Sequence, residues 1–367
     1  MKILHVIDDL SMGGGQNLLI GLAGRQSHLG HNVTVLQLKK AEDQKVTEKI
    51  ESKNVKVDWL TVSGSVYNPL LILKLIPRIR MADIVHVHLF PALYWTGFAR
   101  LMSFCKVPIV YTEHSTKNKR RANPILKRVD SFVYKHCYNQ VIACADKALE
   151  TYLECYPNVG HVCAINNGVD TILYRDAEKY SKKELLGIPE DCFVVTMVAR
   201  FMFMKRQDTI VKAIASLPQK FHACFVGGKS EDQGLIRVKD LAKKLGVEDR
   251  IHFLYLRSDV PQILKSSDAI IMSSEYEGLS LSSIEGMAAR KPFIATNVTG
   301  LKEIIKGAGI LFELDNSAEL SSILLKLESD NEYYNQIAKS CAERAELYNI
   351  QNMVDQYMHV YETCIKK

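Results

Sequence analysis

Short aliphatic and β-branched runs alternate along the chain with longer stretches of helical periodicity. Lys2-Ile-Leu-His-Val-Ile7 opens the series, glycines at 13–15 follow, and an apolar helical stretch over 18–29 is closed by Gly30. The strand signal returns at 33–38, 83–88, 107–112 and 140–144, with helical patterns between. A second series begins at Cys192–Val198 and continues at 223–226, 251–255, 269–272 and 292–295. Strands alternating with helices predict doubly wound parallel sheets. Two such series, separated by the polar, turn-rich stretch 166–183, predict an N-terminal domain over 1–168 and a C-terminal domain over 169–350. Ligands of open α/β sheets bind beyond the carboxyl ends of the strands, so the chemistry is expected in a cleft where the two domains face each other. A last helical pattern, about 351–367, carries Val354, Tyr357, Met358, Tyr361 and Ile365 at helical spacing. It suits either domain, including a return to the first.

Composition narrows the class. At 367 residues the chain exceeds what one core usually spans, and 47% hydrophobic, 24% charged and 8% aromatic residues exclude collagen-like, coiled-coil and mostly disordered chains. The most apolar stretch, Leu70–Ile76, contains Lys74 and is closed by Pro77, too short to cross a bilayer. Asp8-Asp9 cuts off the opening run, which reads as a strand and not as a signal peptide. Nine cysteines without a C-x-x-C pair read as reduced thiols and a cytoplasmic location. The net charge of +6 is uneven: residues 1–170 hold 21 Lys and Arg against 14 Asp and Glu, the remainder 26 against 27. A basic first half suits an anionic partner, although scattered solvated lysines explain it equally well.

The most informative stretch runs from Ser273 to Thr296. A strand ends at Met272, a loop carries Glu275 and Glu277, and a helix starts near Ser280 with Gly278 and Leu279 just before it. A helix start presents unpaired N–H groups and partial positive charge, so this one can hold a diphosphate. Glu277 and Glu285 would flank that anion at different depths and accept hydrogen bonds from hydroxyl-rich groups on either side, a ribose and a sugar. Arg200 and Lys205, after the first strand of the same domain, supply a fork and a point charge for a leaving diphosphate. Taken alone, Glu277 reads as a first-turn residue favoured by the helix dipole and Glu285 as a solvated helix residue; the two cations argue against that reading.

With these residues on the page, the chain resembles retaining family 4 glycosyltransferases over nearly its whole length. The similarity rests on Glu277 and Glu285 in Glu-Gly-Leu-Ser-Leu-Ser-Ser-Ile-Glu-Gly-Met-Ala, on Arg200 and Lys205, on Asn167-Gly-Val-Asp170, on Gly13-Gly14 and on His114 in Tyr-Thr-Glu-His-Ser. It implies two Rossmann-like domains of GT-B type, the first binding the acceptor and the second the nucleotide sugar. It also implies that Glu285 holds the nucleotide ribose, that Glu277 and His114 act at the donor sugar, and that Arg200 and Lys205 hold the diphosphate. Gly278, Leu279, Ser280, Gly14 and Gly15 complete the expected donor-binding set. The sequence departs from the family at Ser280, where Pro is common, at Arg206 and Tyr255, where Gly is common, and at Gln16-Asn17, where Ala-Glu is common. The expected reaction moves a sugar, with retention, from a nucleoside diphosphate donor, a UDP-sugar foremost, to a glycan or lipid-linked acceptor in envelope or capsular glycan synthesis. No cofactor and no metal are expected. A nucleotide-sugar epimerase of the same architecture and a non-catalytic sugar-nucleotide binder are the rival readings.

Weaker signals remain. Gly13–Gly15 fits a dinucleotide loop poorly, because Leu18 stands where the third glycine belongs and no acid closes the next strand. His86 and His88 share one face of a strand but lack a third ligand nearby in sequence. Lys117, Lys119, Arg120 and Arg121 lead into a helix with Lys127 and Arg128, where Ile125, Val129 and Phe132 form an apolar stripe. This patch suits the acceptor or the anionic headgroups of the inner membrane face, and a helix packed on its sheet with a solvated basic face is the plainer alternative. No nucleic-acid motif accompanies the charge.

Overall fold

The structure, a computed structural model, describes residues 1–11, 14–114, 119–277 and 280–366. It divides into two compact units, residues 1–168 with 350–367, and residues 169–349.

In the first unit the order is β1 (Lys2–Ile7), α1 (Gly14–His28), β2 (Asn32–Lys39), α2 (Lys45–Glu51), β3 (Lys56–Thr61), α3 (Leu71–Arg80), β4 (Ile84–His88), α4 (Ala92–Ser103), β5 (Ile109–Glu113), α5 (Pro124–Cys137), β6 (Gln140–Ala143), α6 (Asp146–Cys155) and β7 (Val162–Ala164). The seven strands are all parallel in the order β3-β2-β1-β4-β5-β6-β7. β1 and β4 are buried nearly throughout, which is why they read as continuous apolar runs. Register sets His5 beside His86 and His88 beside Thr112.

The second unit runs α7 (Thr171–Arg175), α8 (Lys182–Leu186), β8 (Phe193–Val198), α9 (Gln207–Ala215), β9 (Phe221–Val226), α10 (Gln233–Lys244), β10 (Ile251–Tyr255), α11 (Val260–Ser266), β11 (Ala269–Met272), α12 (Leu281–Ala288), β12 (Phe293–Thr296), α13 (Lys302–Ile305), β13 (Ile310–Phe312), α14 (Ser317–Ser329) and α15 (Asn331–Glu346). Its six parallel strands take the order β10-β9-β8-β11-β12-β13. The last helix, α16 (Ile350–Lys366), belongs to the first unit and buries Met353, Val354, Tyr357, Met358, Tyr361 and Cys364 there. Ile365 is 41% exposed and falls off this stripe, because the buried face passes through Cys364 instead.

In both sheets the strand order reverses once, at β1/β4 and at β8/β11. Connections leave in opposite directions there, so the carboxyl ends of those two strands open onto a crevice. Close packing fixes the helix beside the second reversal: a Cβ on Gly286 of α12 would lie 2.6 Å from the Phe293 ring and 2.9 Å from Ile270. That glycine lets α12 lie against β11 and β12 and sets the depth of the adjacent Glu285. All nine cysteines are free thiols, and no helix among the described residues is long and apolar enough to cross a membrane.

Gly286→Ala should lower stability by about 1–3 kcal/mol through overpacking. Gly160→Ala, where an added Cβ meets nothing within 4 Å, should leave the denaturant midpoint unchanged.

Candidate functional site

In the second unit, β8 is followed by Arg200 and by a short 3₁₀ turn, Phe203–Lys205, while β11 is followed by the loop that carries Glu277. The two loops are stitched together. Ser273 Oγ donates to the carbonyls of Lys205 and Arg206 at 2.9 and 3.0 Å, and the Glu275 N–H donates to the Met204 carbonyl at 2.8 Å. This brings Lys205 Nζ to Glu277 Oε1 at 2.5 Å, with Ser274 Oγ donating to the same oxygen at 2.7 Å. Both charged side chains are mostly covered, at 17% and 14% exposed. Arg200 is exposed and its guanidinium has no ion-pair partner among the described residues. Ser280 caps α12, its hydroxyl accepting from the Ser283 N–H at 3.3 Å and from the Ser283 hydroxyl at 2.8 Å. Gly278 and Leu279 lie outside the described residues.

Glu285 is half-buried on α12 and not a solvated helix residue. Burial raises its pKa above the ordinary carboxylate value, opposed by a hydrogen bond from the Tyr174 phenol of α7. The structure therefore brings Lys205 and Glu277 into contact, sets Glu285 against Tyr174, and leaves the Arg200 side chain exposed beyond β8.

Two departures from the family pattern have a backbone meaning. Arg206 (φ 50°) and Tyr255 (φ 54°) both occupy the left-handed region, where glycine is favoured. Arg206 is held by a fork on Asp315, Nε–Oδ1 2.8 Å and Nη2–Oδ2 2.5 Å, and the Tyr255 hydroxyl accepts from Lys239 at 3.1 Å. Sequence reasoning missed Gly227 and Gly228 after β9, whose positive φ values (122° and 73°) let that loop approach the Ala199 carbonyl and the Phe201 ring. Paired glycines directly after a strand were the available signal.

In the first unit Gly14 opens α1, and a Cβ on Gly15 would lie 3.4 Å from Leu89 and 3.6 Å from His114 Nδ1. His114, one residue beyond β5, thus stands at the β1/β4 reversal. Burial lowers its pKa to about 4. Asp8, just past β1, is a further titratable group the sequence did not flag, its carboxyl raised to about 6 chiefly by burial. Behind His114 the third histidine that sequence spacing did not reveal comes from the neighbouring strand: ring nitrogens of His5, His86 and His88 lie within 4.8 Å of one another. All three rings are fully buried. Burial lowers the His5 pKa to about 4; His86 and His88 fall well below the usual value, from burial first and then from neighbouring imidazoles.

The basic segment needs correction. Arg120 and Arg121 are not surface charges: Arg120 Nε donates to buried Asp130 at 3.2 Å, and Arg121 Nη2 donates to buried Glu113 at 3.2 Å. Tyr94 and Tyr156 also donate to Asp130, at 2.6 and 2.9 Å, and Tyr134 donates to Glu113 at 3.2 Å. These bonds pull Asp130 inward and rotate α5, so its buried face is Asp130, Val133, Tyr134 and Cys137. Of the expected stripe only Val129 packs partly on the core; Ile125 and Phe132 are turned out, 70% and 49% exposed. Arg128 is exposed and Lys127 half-buried; Lys117 lies outside the described residues, and the Lys119 side chain is likewise not described. Pro124 does open the helix, capped by Asn123 Oδ1, which accepts from Ile125 N–H at 3.0 Å and Leu126 N–H at 3.2 Å.

Two doubly wound parallel sheets, each with its crevice at one strand-order reversal, define a two-unit α/β protein of the GT-B architecture. Residues 12–173 match the model of Glycosyltransferase Family 4 and residues 178–344 that of Glycosyl transferases group 1, and the chain belongs to this glycosyltransferase family. It is 27% identical over 288 residues to N-acetyl-alpha-D-glucosaminyl L-malate synthase of Bacillus anthracis, covering 76% of this chain and 74% of that one. It is 27% identical over 300 residues to UDP-Gal:alpha-D-GlcNAc-diphosphoundecaprenol alpha-1,3-galactosyltransferase of Escherichia coli, covering 76% and 75%. Among solved structures, Anabaena HepE in complex with UDP superposes with a TM-score of 0.83 at 22% identity, over 99% of this chain and 100% of that one. Its complex with UDP-glucose gives 0.80. These structural matches speak for the fold.

Two outcomes are expected from these networks. Asp130→Ala, which strands Arg120 without its counter-charge, should cost about 3–5 kcal/mol in chemical denaturation, whereas Arg128→Ala should stay within about 0.5 kcal/mol. The imidazoles give an acid limit. Their folded pKa values lie below the unfolded value of 6.5, so the unfolded chain binds more protons, and stability present above pH 6.5 is lost as pH falls towards 4. His5 alone accounts for about 3 kcal/mol of that loss at pH 4; His5→Gln should flatten the melting temperature between pH 6.5 and 4.5.

Proposed function

We propose that the enzyme transfers a sugar, with retention of anomeric configuration, from a UDP-sugar to a hydroxyl of a glycan or lipid-linked acceptor in cell-envelope or capsular glycan synthesis. The observation that carries the reading is the Lys205–Glu277 ion pair at the β8/β11 reversal, beside the capped start of α12. In the resting site Glu277 neutralises Lys205. An arriving diphosphate competes for the ammonium with the help of Arg200 and the α12 N-terminus, which frees Glu277 to accept from hydroxyls of the sugar. Departure of the diphosphate needs positive charge where negative charge grows, and these groups supply it without a metal. Glu285, deeper on α12, holds the ribose. With Glu277 engaged by sugar hydroxyls and Glu285 by the ribose, neither carboxylate is assigned as a nucleophile, and the acceptor attacks the face from which the diphosphate leaves.

The reading is supported for the donor by the UDP and UDP-glucose complexes of Anabaena HepE and, for a lipid-linked acceptor, by the diphosphoundecaprenol substrate in the name of the Escherichia coli relative. The first unit takes the acceptor, while its His114 acts at the donor sugar and Gly14 and Gly15 belong to the donor-binding set. It meets the inner membrane surface from the cytoplasm through α4 and α5, where exposed Met102, Phe104, Ile125 and Phe132 accompany Lys127 and Arg128.

Titrating UDP into variants by calorimetry, and following UDP release from UDP-sugars with and without EDTA, tests this. Lys205→Ala should weaken UDP about tenfold, the loss of one charge-assisted hydrogen bond. Glu277→Gln should bind UDP at least as tightly as the wild type, because the competing carboxylate is neutral, yet lose about 100-fold in turnover. Turnover near the wild-type rate in both variants would remove the site assignment, and an EDTA-sensitive rate would remove the metal-free mechanism.

A further inference from the structure

Three histidines of the first unit, His5, His88 and His114, form a directional hydrogen-bond chain. Gln26 of α1 sits with its Nε2 3.7 Å from Met358 Sδ and its Oε1 2.7 Å from His5 Nε2. The amide therefore turns its N–H₂ to the sulfur and its oxygen to the ring, so His5 Nε2–H is the donor and His5 Nδ1 carries a lone pair. His88 Nε2 lies 3.0 Å from that Nδ1 and must donate to it. His88 Nδ1 is then an acceptor, and His114 Nε2, 3.3 Å away, must donate. The chain leaves His114 with an unprotonated Nδ1, which has no partner among the described residues and lies at the Gly15 helix start. His86 stands outside this line. Its Nδ1 pairs with the Tyr361 hydroxyl at 2.6 Å and its Nε2 with Thr112 Oγ1 at 2.7 Å, and Thr112 Oγ1 pairs in turn with Tyr357 at 3.2 Å.

We infer that Gln26, His5 and His88 are positioning residues that fix His114 as the neutral Nε2–H tautomer, so that its Nδ1 accepts a hydrogen bond from a hydroxyl of the substrate. The inference deepens the reading of His114 given above and rests on it for the substrate. The physical need is plain: an imidazole alone exchanges its two tautomers, and one that donates from Nδ1 repels the hydroxyl proton that the other attracts. Full burial of His5, Gln26 and His88 keeps water from offering alternative partners. Every ring nitrogen of His5, His86 and His88 is already used in a protein hydrogen bond, so the cluster explains itself without a metal ion.

Long-range ¹H–¹⁵N spectra of the full chain labelled at histidine, with His114→Ala supplying the assignment, report the tautomer directly. Wild type should show His114 protonated at Nε2 only. His88→Leu should give a mixed tautomer, while His88→Gln, whose amide can donate to His5 and accept from His114, should restore the wild-type pattern. In UDP-sugar turnover His88→Leu should lower kcat about tenfold, the worth of one oriented hydrogen bond, with KM for the donor little changed. His88→Gln should recover most of that loss, and matched melting temperatures exclude a folding defect. Should His88→Leu not fold, Gln26→Leu breaks the chain at its first link and should give the same mixed tautomer. A His114 protonated at Nδ1, an unchanged tautomer in the broken-chain variant, or stoichiometric zinc bound by His5, His86 and His88 overturns the inference. If no sugar is turned over but the tautomer behaves as stated, the chain stands and the transferase reading fails.

Discussion

A parallel sheet whose strands return through helices puts every outgoing loop on the same edge, and where strand order reverses two of those loops part from each other. The ends of the two strands at that point open onto a crevice, the place where open α/β sheets take their ligands. Each sheet of this protein has one such place, and both are rich in groups that are costly to leave unsatisfied: Lys205 and Glu277 at β8/β11, His88 and His114 at β1/β4. The remaining architecture supports them. Ser273 ties two loops into one rim, Gly286 lets α12 lie against β11 and β12, and Ser280 caps the helix start.

The two sites handle charge in opposite ways. The second unit keeps its cation paired and mostly covered, Lys205 against Glu277. The histidine cluster of the first unit is held neutral by burial, and both ring nitrogens of His5 and His88 are hydrogen-bonded. A polar row buried in this way is tolerated because His5, His86 and His88 each use both ring nitrogens in hydrogen bonds.

Much of this was legible in the chain, and the failures share a cause. β10 and β11 lie where their apolar runs said, at Ile251–Tyr255 and Ala269–Met272. The three strands that went unread, β3, β7 and β13, are all sheet edges. Edge strands are short or half-solvated, as in Lys56-Val-Asp-Trp-Leu-Thr61, and so lose the continuous apolar signature of central ones. The same limit applies to side chains. Lys205 and Glu277 could be named because each follows a strand, but their contact depends on Ser273 and on the Met204 carbonyl, which no spacing shows. Arg120 and Arg121 misled because their partners, Asp130, Glu113 and three tyrosines, converge from separate helices and strands. A third histidine from β1 could not be placed beside His86 until the order β1-β4 was known.

The helix that covers the polar row is α16, whose Tyr357 and Tyr361 hydroxyls pair with Thr112 and His86. It is encoded after the whole of the second unit. During synthesis the β1–β5 face therefore waits, wet and incomplete, while some 180 residues downstream emerge and can already close their own core. The unit made first on the ribosome is thus the one finished last, and a nascent chain arrested before residue 350 should carry a settled C-terminal unit beside an unsealed N-terminal one.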